Sequence, residues 1–253
     1  MPIPLQYNLH GKVSVVAGDG NGLTPIIAEA LAEAGSYIFV VTEHQSIIDE
    51  IIPRVEKHGE KAIGVVCDST DENQVRMAID HLQCQWPKID ILVNNYCTRF
   101  AKPFVSVEID EFDKVIDKNL KSVFLMTREV GKRMEESGDG RIVNIMSMLA
   151  DRGLPNSSVF CATQGAVLQL TRSLALEWGS TNIRVNAVGI GWIDGSDEIP
   201  QGNDNGLLLR YIPIGRKGSP EEIVSLIVYL SSDSCDFTTG HPIYIDGGLT
   251  ARP

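Results

Sequence analysis

The chain alternates short apolar runs of strand type with longer helical patterns from one end to the other. Seven runs have strand character: Lys12–Ala17, Tyr37–Thr42, Ala62–Cys67, Ile89–Asn94, Arg141–Met146, Ile183–Val188 and Pro242–Ile245. Segments of helical length separate them, at Pro25–Ala34, Ser46–His58, Asp71–Gln85, Glu111–Glu136, Val159–Trp178 and Pro220–Leu230. Strands joined through helices form right-handed crossovers in a parallel sheet. The pattern predicts an α/β fold: one doubly wound parallel sheet of about seven strands flanked by helices, with ligands at the carboxyl ends of the strands.

Length and charge limit the classes to which the protein can belong. With 253 residues, 43% of them hydrophobic, the chain can bury one sizeable core, so we expect a single domain over residues 1–253. A formal charge of −11 repels nucleic acid and anionic membrane surfaces. The sequence has no signal-peptide pattern, no run of 18 apolar residues and no CxxC among its five cysteines. We therefore expect a cytoplasmic protein with no nucleic-acid or membrane partner and no metal site.

A set of short motifs follows the predicted strands in a fixed order. The set is Ala17-Gly-Asp-Gly-Asn-Gly-Leu-Thr-Pro25, Asn94-Asn95, Asn119-Leu120, Asn144-Ile-Met-Ser147, Arg184-Val-Asn186, Pro220-Glu-Glu-Ile223 and Asp246-Gly-Gly248. In that order and at those intervals the motifs resemble the classical short-chain dehydrogenase/reductase family over almost the whole chain. A Gly-rich turn alone would be weak evidence, since such turns are also plain structural loops. The resemblance implies a Rossmann-like domain with the scaffold of an oxidoreductase.

The resemblance also identifies the positions of the family's catalytic Asn, Ser, Tyr and Lys. Asn119 and Ser147 match, but Phe160 stands at the Tyr position and Gln164 at the Lys position. Hydride transfer at a carbonyl needs a group that exchanges the hydroxyl proton, and a phenyl ring has none. A neutral glutamine supplies no charge that would lower a tyrosine pKa. The resemblance therefore predicts a degenerate site with no intact catalytic set.

The cofactor positions implied by the resemblance are partly retained and partly altered. The predicted remnant of the site is Gly18, Gly22, Thr42, Asp68, Asn94 and Gly191. Residues that differ from the family pattern are Thr24, Tyr96, Cys97, Ile190 and Gly195. Thr24-Pro25 is typical of an N-cap followed by the first helical residue, and Tyr96-Cys97 adds bulk where a small pair is usual. We expect the chain to bind no dinucleotide, or NAD weakly, with Glu43 either accepting a ribose hydroxyl or lying solvated at the surface.

Other chemistry in the same cleft stays open at this point. Tyr96 or Tyr211 would be the displaced proton donor of an active NAD-dependent oxidoreductase. Loop carboxylates would serve a non-redox lyase or isomerase, and the candidates are Asp151, Asp194, Asp197 and Glu198. Cys97 and Cys161 map near the cleft, but no histidine accompanies them to activate a thiol. The polar segment Asp194–Arg210 is predicted to be a mobile loop over the cleft.

The favoured interpretation is a catalytically inactive subunit, a pseudoenzyme, that supports an active paralogue. Family members assemble through helices that correspond to Glu111–Glu136 and Val159–Trp178, and these remain rich in apolar residues, among them Val123, Phe124, Met126, Leu168, Leu170, Leu174 and Leu176. We expect a heterotetramer with an active short-chain dehydrogenase that carries NAD and oxidises a hydroxyacyl-CoA-type substrate; a homotetramer is the alternative. The chain resembles the inactive subunit of the benzoylsuccinyl-CoA-forming dehydrogenase of anaerobic toluene breakdown.

Overall fold

One parallel sheet organises the molecule. The computed structural model describes residues 7–18, 22–194 and 210–251. Seven parallel strands in these residues have the order β3-β2-β1-β4-β5-β6-β7. The strands are β1 Val13–Gly18, β2 Tyr37–Thr42, β3 Ala62–Val66, β4 Ile91–Asn95, β5 Gly140–Ser147, β6 Ile183–Ile190 and β7 Pro242–Ile245. The predicted sheet is confirmed, with every strand end within about two residues of its predicted place.

Helices cover both faces of the sheet. They are α1 Thr24–Glu33, α2 Gln45–Glu56, α3 Glu72–Gln85, α4 Ile109–Ile116, α5 Ser122–Ser137, α6 Ser158–Trp178 and α7 Glu221–Ser231. The single helix predicted over Glu111–Glu136 is wrong in one respect, because a π-helical turn at Asp117–Lys121 separates α4 from α5. Such turns occur mostly as local insertions in helices, often at functional sites. This one carries Asn119, which is fully buried.

Alternating side chains of the strands build two cores. Val15 and Phe39 point to the face covered by α3, α5 and α6, whereas Val16 and Val40 point to the face covered by α1, α2 and α7. Strands buried on both faces are nearly continuous apolar runs, which is why their sequence signal was strong. No helix of the described residues is long and apolar enough to cross a membrane.

Most of the apolar residues on α5 and α6 that were predicted to form an interface lie in the core or pack against it. Val123 and Met126 are 1% and 0% exposed and belong to the core, so their apolar character has no bearing on assembly. Phe124 on α5 is 45% exposed and Leu176 on α6 is 87% exposed. Of the apolar residues predicted to serve an interface on these helices, those two are exposed, and Leu170 and Leu174 are partly buried.

Charged residues meet at the amino edge of the sheet. Arg141, whose side chain is 6% exposed, lies 3.0 Å from Asp139 and also pairs with Asp236. Lys88 lies 2.7 Å from Asp90 and 3.2 Å from Asp139, and Asp90 accepts the Val13 N–H at 2.9 Å. Burial alone would raise the pKa of Asp139, but Arg141 and Lys88 hold it below its ordinary value. The network ties the starts of β1, β4 and β5 to the segment before β7.

Strand order defines the opposite, carboxyl edge as the place for a ligand. The chain crosses from β3 to the far side of β1 to form β4, so β1 and β4 lie side by side where the winding direction reverses. Gly18 ends β1 opposite Asn95 at the end of β4. Crevices outside this switch point bind ligands in open α/β sheets. The residues singled out in the sequence follow β1, β3, β4, β5 and β6 at this edge.

Candidate functional site

Gln164 joins three elements at the carboxyl edge. Its side chain is buried in α6, and its Oε1 accepts the Ser147 N–H at the end of β5 at 2.8 Å. The same oxygen accepts the Cys97 thiol, just after β4, at 3.7 Å. Its Nε2 donates to Thr163 Oγ1 at 3.3 Å. The amide at the predicted Lys position is therefore committed to holding α6 against the ends of β4 and β5.

Asn119 fixes the segment that follows β4. Its Oδ1 accepts the Thr98 N–H at 2.7 Å and its Nδ2 donates to the Thr98 carbonyl at 2.8 Å. The Nδ2 also lies 3.4 Å from Thr163 Oγ1, which itself donates to the Phe160 carbonyl at 2.7 Å. The predicted site positions Asn119, Phe160 and Gln164 are thus brought together through Thr163. Each polar contact among them serves the fold.

Ser147 and Phe160 line one open cleft. Phe160 is 3% exposed at the start of α6, and its ring presents no atom that exchanges a proton. Ser147 Oγ accepts the Leu149 N–H at 3.2 Å, so the hydroxyl also caps a short 3₁₀ turn. Gly191 and Trp192 enter the cleft from the end of β6. The cleft occupies the predicted place for a substrate, with an apolar wall where the resemblance puts the proton donor.

Tyr96 fills space between the ends of β3 and β4. Its side chain is 5% exposed, and its hydroxyl donates to Ser69 Oγ at 2.6 Å. Asp68, next to Ser69, accepts the Thr70 hydroxyl at 2.7 Å and the Thr70 N–H at 2.9 Å. The bond from the Thr70 hydroxyl, and to a lesser extent the bond from the Thr70 N–H, holds the pKa of Asp68 below its ordinary value. Tyr96 and Asp68 are both engaged within the chain.

Lys118 pairs with Glu43 close to Asp68. Glu43 follows Thr42, the last residue of β2, and Lys118 lies on the π-helical turn between α4 and α5. Thr42 is buried at 1% exposure. The sequence analysis left Glu43 either as a ribose acceptor or as a solvated acid, and the structure gives it an intramolecular cation. Lys118 itself was missed, because nothing in the local sequence indicates a pair across 75 residues.

The retained glycines and Asn94 have structural reasons of their own. A Cβ on Gly18 would overlap the Asn95 carbonyl, and one on Gly191 would lie 2.7 Å from the Asp246 Cα. Gly22 has φ +77°, which favours glycine. Asn94 donates to Thr127 Oγ1 at 2.9 Å and to Asn144 Oδ1 at 2.8 Å inside the core. The predicted cofactor remnant therefore consists largely of residues on which the fold depends.

Thr24 does not cap α1 as predicted. The helix begins at Thr24 itself, and the N-cap is Leu23, which makes no side-chain capping bond. Thr24 is fully buried, and its Oγ1 accepts the Asn95 side-chain amide at 2.9 Å. The bond to Asn95 competes with capping for the same hydroxyl oxygen. The prediction of an N-cap at Thr24 was wrong because a long-range partner determines its conformation.

Of the alternative catalytic candidates, Asp151 and Asp194 have intramolecular partners and Tyr211 is 60% exposed, whereas Asp197 and Glu198 lie outside the described residues. Tyr244 donates to Asp151, and Asp194 lies 3.6 Å from Lys217. Burial, and then Asp151, raises the pKa of Tyr244, the opposite of what a proton donor near neutral pH needs. Cys161 is a partly buried thiol on α6. Asp197, Glu198, Gly195 and most of the predicted loop Asp194–Arg210 fall on residues that are not described. Within the described ranges no group of three or more His, Cys, Asp or Glu is placed to hold a metal ion.

Comparisons with known proteins agree on one family. A family model described as enoyl-(acyl carrier protein) reductase matches residues 17–250. The 2-dehydro-3-deoxy-D-gluconate 5-dehydrogenase of Formosa agariphila is 32% identical over 97% of this chain and 95% of its own length. A short-chain alcohol dehydrogenase structure from Sinorhizobium meliloti is 31% identical, with TM-score 0.94 and coverage of 98% and 100%. A gluconate 5-dehydrogenase from Burkholderia cenocepacia, in complex with NADP and tartrate, is 29% identical, with TM-score 0.90 and coverage of 98% of each chain.

Proposed function

The chain belongs to the short-chain dehydrogenase/reductase family of oxidoreductases, and on that premise we propose that it is a member without redox activity of its own that supports an active paralogous subunit. Phe160 is the observation that carries the proposal. Its phenyl ring is buried at the wall of the cleft beside Ser147. The atom that would exchange the proton of a carbonyl or alcohol is absent from that position.

Gln164 supports the same conclusion. The family lysine contributes a charge that lowers the tyrosine pKa, and it contacts the nicotinamide ribose. Gln164 is neutral, and its carbonyl oxygen already accepts the Ser147 N–H and the Cys97 thiol. A ribose hydroxyl that donates to this oxygen would have to compete with these buried bonds, and an unpaired buried N–H is costly. The position acts as a structural link between β4, β5 and α6.

The residues present do not fit a dinucleotide. The adenosine end would lie beside β2, β3 and β4, where Tyr96 is buried against Ser69 and Lys118 pairs with Glu43. A ribose at Glu43 would compete with an ammonium group, and an adenine ring would have to displace a buried phenol. We propose that NAD is carried by the partner subunit and that this chain binds it weakly or not at all.

Calorimetry with NAD and NADH tests the loss of the cofactor site. We expect no heat of binding at concentrations that saturate an intact paralogue. The double variant Phe160→Tyr with Gln164→Lys restores the donor and its activator. Tyr96 and Cys97 would still fill the crevice in which the adenosine half of the dinucleotide would lie, so we expect no NADH production from this variant. Adding Tyr96→Ala and Cys97→Gly reopens the crevice, and we expect measurable dinucleotide binding only then. Micromolar binding to the unmodified chain, or turnover by the double variant, would overturn the proposal.

Assembly with an active paralogue rests on the exposed apolar residues of the long helices. Phe124 is 45% exposed and Leu176 is 87% exposed. We propose a tetramer with two copies of this chain and two of an active short-chain dehydrogenase acting on a hydroxyacyl-CoA-type substrate. Co-expression followed by native mass spectrometry should show the mixed complex, and Phe124→Glu with Leu176→Glu should weaken it. Self-association alone, with a paralogue fully active by itself, would support the homotetramer.

We include in this proposal that the chain is the inactive subunit of the benzoylsuccinyl-CoA-forming dehydrogenase. A complex that contains this chain should form benzoylsuccinyl-CoA if the chain is the inactive subunit of that dehydrogenase. The matched control is the complex with Phe160→Leu in this chain. Its turnover should be unchanged if Phe160 takes no part in the reaction.

A further inference from the structure

The cleft at the start of α6 has a wall made mainly of hydrocarbon. Six of the side chains that line this cleft are large and apolar: Phe100, Met148, Leu149, Leu154, Phe160 and Trp192. Phe160 and Met148 are 3% and 4% exposed, so their positions are fixed by packing. Met148 also belongs to a small cluster with Ile212 and Leu249, against which Leu149 and Trp192 pack. The wall is therefore anchored in the protein interior.

Few polar side chains of the described residues line the cleft: Arg99, Ser147 and Ser157. Ser147 Oγ accepts the Leu149 N–H, and the Ser147 N–H is taken by Gln164. The Ser157 main chain is used by Leu154 and Cys161. Among the described residues, the hydroxyl protons of Ser147 and Ser157 have no acceptor, and Arg99 already holds an interaction within the chain. Two hydroxyl groups and the remaining N–H groups of Arg99 can satisfy only a few polar atoms of a ligand.

The two named relatives that report a substrate act on polyhydroxylated acids. Molecules of that kind carry a carboxylate and several hydroxyl groups. Against this wall most of these groups would lose water without gaining a partner, which is strongly unfavourable. An alkyl or aryl body would gain from the same burial, by about fourfold in affinity for each buried methylene group. The lining therefore favours one ligand class and disfavours the other.

We propose that the cleft binds a predominantly apolar small molecule with one or two hydrogen-bonding groups, such as a ketone or an ester, and disfavours polyhydroxylated molecules. The inference deepens the proposed function and rests on it in one respect: the ligand is held and is not oxidised or reduced. The class is defined by the wall of the cleft and by its few free hydroxyl groups. The apolar body packs on Phe160 and Trp192, and the polar group lies towards Ser147 and Ser157.

Ligand-observed NMR on the full chain, without dinucleotide, tests the class with a homologous series. The probes are butan-2-one, hexan-2-one and octan-2-one, with D-gluconate and D-threitol as polyhydroxylated controls. We expect affinity to rise about fourfold per methylene group until the cleft is filled, and hexan-2-one to bind at least tenfold more tightly than either control. A flat series, or a control that saturates first, overturns the inference.

Two leucine variants locate the binding. Leu154 lines the cleft and is 42% exposed, so Leu154→Glu should fold normally and lower the affinity for hexan-2-one at least fivefold. Leu176, 87% exposed on α6 and not part of the lining, is the matched position, and Leu176→Glu should leave the affinity unchanged. Equal losses in both variants would place the probe elsewhere and overturn the inference. Dinucleotide binding is measured separately. If it is found, it would contradict the proposed loss of redox activity but not the proposed ligand class.

Discussion

The two edges of the sheet hold charge in different ways. At the amino edge Arg141, Asp139, Asp236, Lys88 and Asp90 form a partly buried network in which each charge has an opposite neighbour. At the carboxyl edge the contacts around the start of α6 join neutral groups: an amide, a backbone N–H, a thiol and hydroxyls. The family resemblance assigns a lysine to this second place. Charged side chains therefore hold the strands together at the amino edge. At the start of α6, where the resemblance assigns a charged residue to catalysis, this chain has a neutral one.

The retained residues of the carboxyl edge explain how the scaffold stays intact. Asn94 lies in a buried hydrogen-bond network, and Asn119 holds the backbone of Thr98. Asp246 accepts the N–H groups of Gly248 and Thr250 in the turn after β7. Losing any of them would leave buried polar groups without partners. The comparison of the edges therefore predicts the largest loss of stability for the removal of Arg141 at the amino edge, and four measurements test the comparison from the largest expected effect to the smallest.

Arg141→Met should cost the most. It takes the main cation from Asp139 and Asp236 and a donor from the buried Gly140 carbonyl, and together these losses should cost about 3 kcal/mol. Urea denaturation measures the loss. Arg216→Met is the matched control, because the pair of Arg216 with Glu222 is exposed and contributes at most about 1 kcal/mol. Equal losses in the two variants would show that the amino-edge network has no special role.

Gln164→Leu should lower the free energy of unfolding by about 2 kcal/mol, because the buried Ser147 N–H loses its acceptor. Gln164→Lys should cost more than the leucine, since it also buries an ammonium group without a carboxylate. The control is Gln85→Leu at an exposed helix end, with an expected change within about 0.5 kcal/mol. A Gln164→Lys variant as stable as the original chain would mean that the carboxyl edge still accommodates the charge.

Acid should weaken the amino edge. The pKa of Asp139 is lowered in the folded chain from its ordinary 3.8, so its ionised form stabilises the fold above that pH. The contribution, about 1 kcal/mol, is lost as the pH falls below about 4 towards the folded-state pKa. Unfolding followed between pH 6 and pH 3 should show a steeper fall for the original chain than for Asp139→Asn. Parallel curves would exclude a contribution of Asp139.

Tyr96→Phe should have the smallest effect, a loss of about 1 kcal/mol from the missing bond to Ser69. The phenyl ring still fills the space beside Ser69 in this variant, so we expect it to bind no dinucleotide. Tyr211→Phe, at a residue that is 60% exposed, is the control with no expected change. A gain of NADH binding by Tyr96→Phe would show that the hydroxyl, and not the bulk of the ring, closes the crevice.

Sequence patterns predicted the sheet well and the contacts of the site poorly. Buried parallel strands such as Tyr37–Thr42 are continuous apolar runs, and their bounds were predicted correctly. The π-helical turn at Asp117–Lys121 was missed, because no Pro or Gly interrupts the helical pattern there. The replacements at Phe160 and Gln164 were visible in sequence through the family's spacing. The pairs Tyr96 with Ser69 and Lys118 with Glu43 join residues far apart in the chain, so only the tertiary structure brings them together.

The neighbouring positions of β1 and β4 have a consequence for the time at which the chain folds. During synthesis β1, β2 and β3 can pair as soon as Val66 has left the ribosome, but the open side of β1 must wait for Asn95. At about 5–20 residues per second, the roughly 30 intervening residues take about 1.5 to 6 seconds. For that interval the nascent chain presents an unpaired apolar strand, a template for pairing with another chain. A chain made beside other copies of itself therefore has a short interval in which premature association competes with the pairing of β1 with β4.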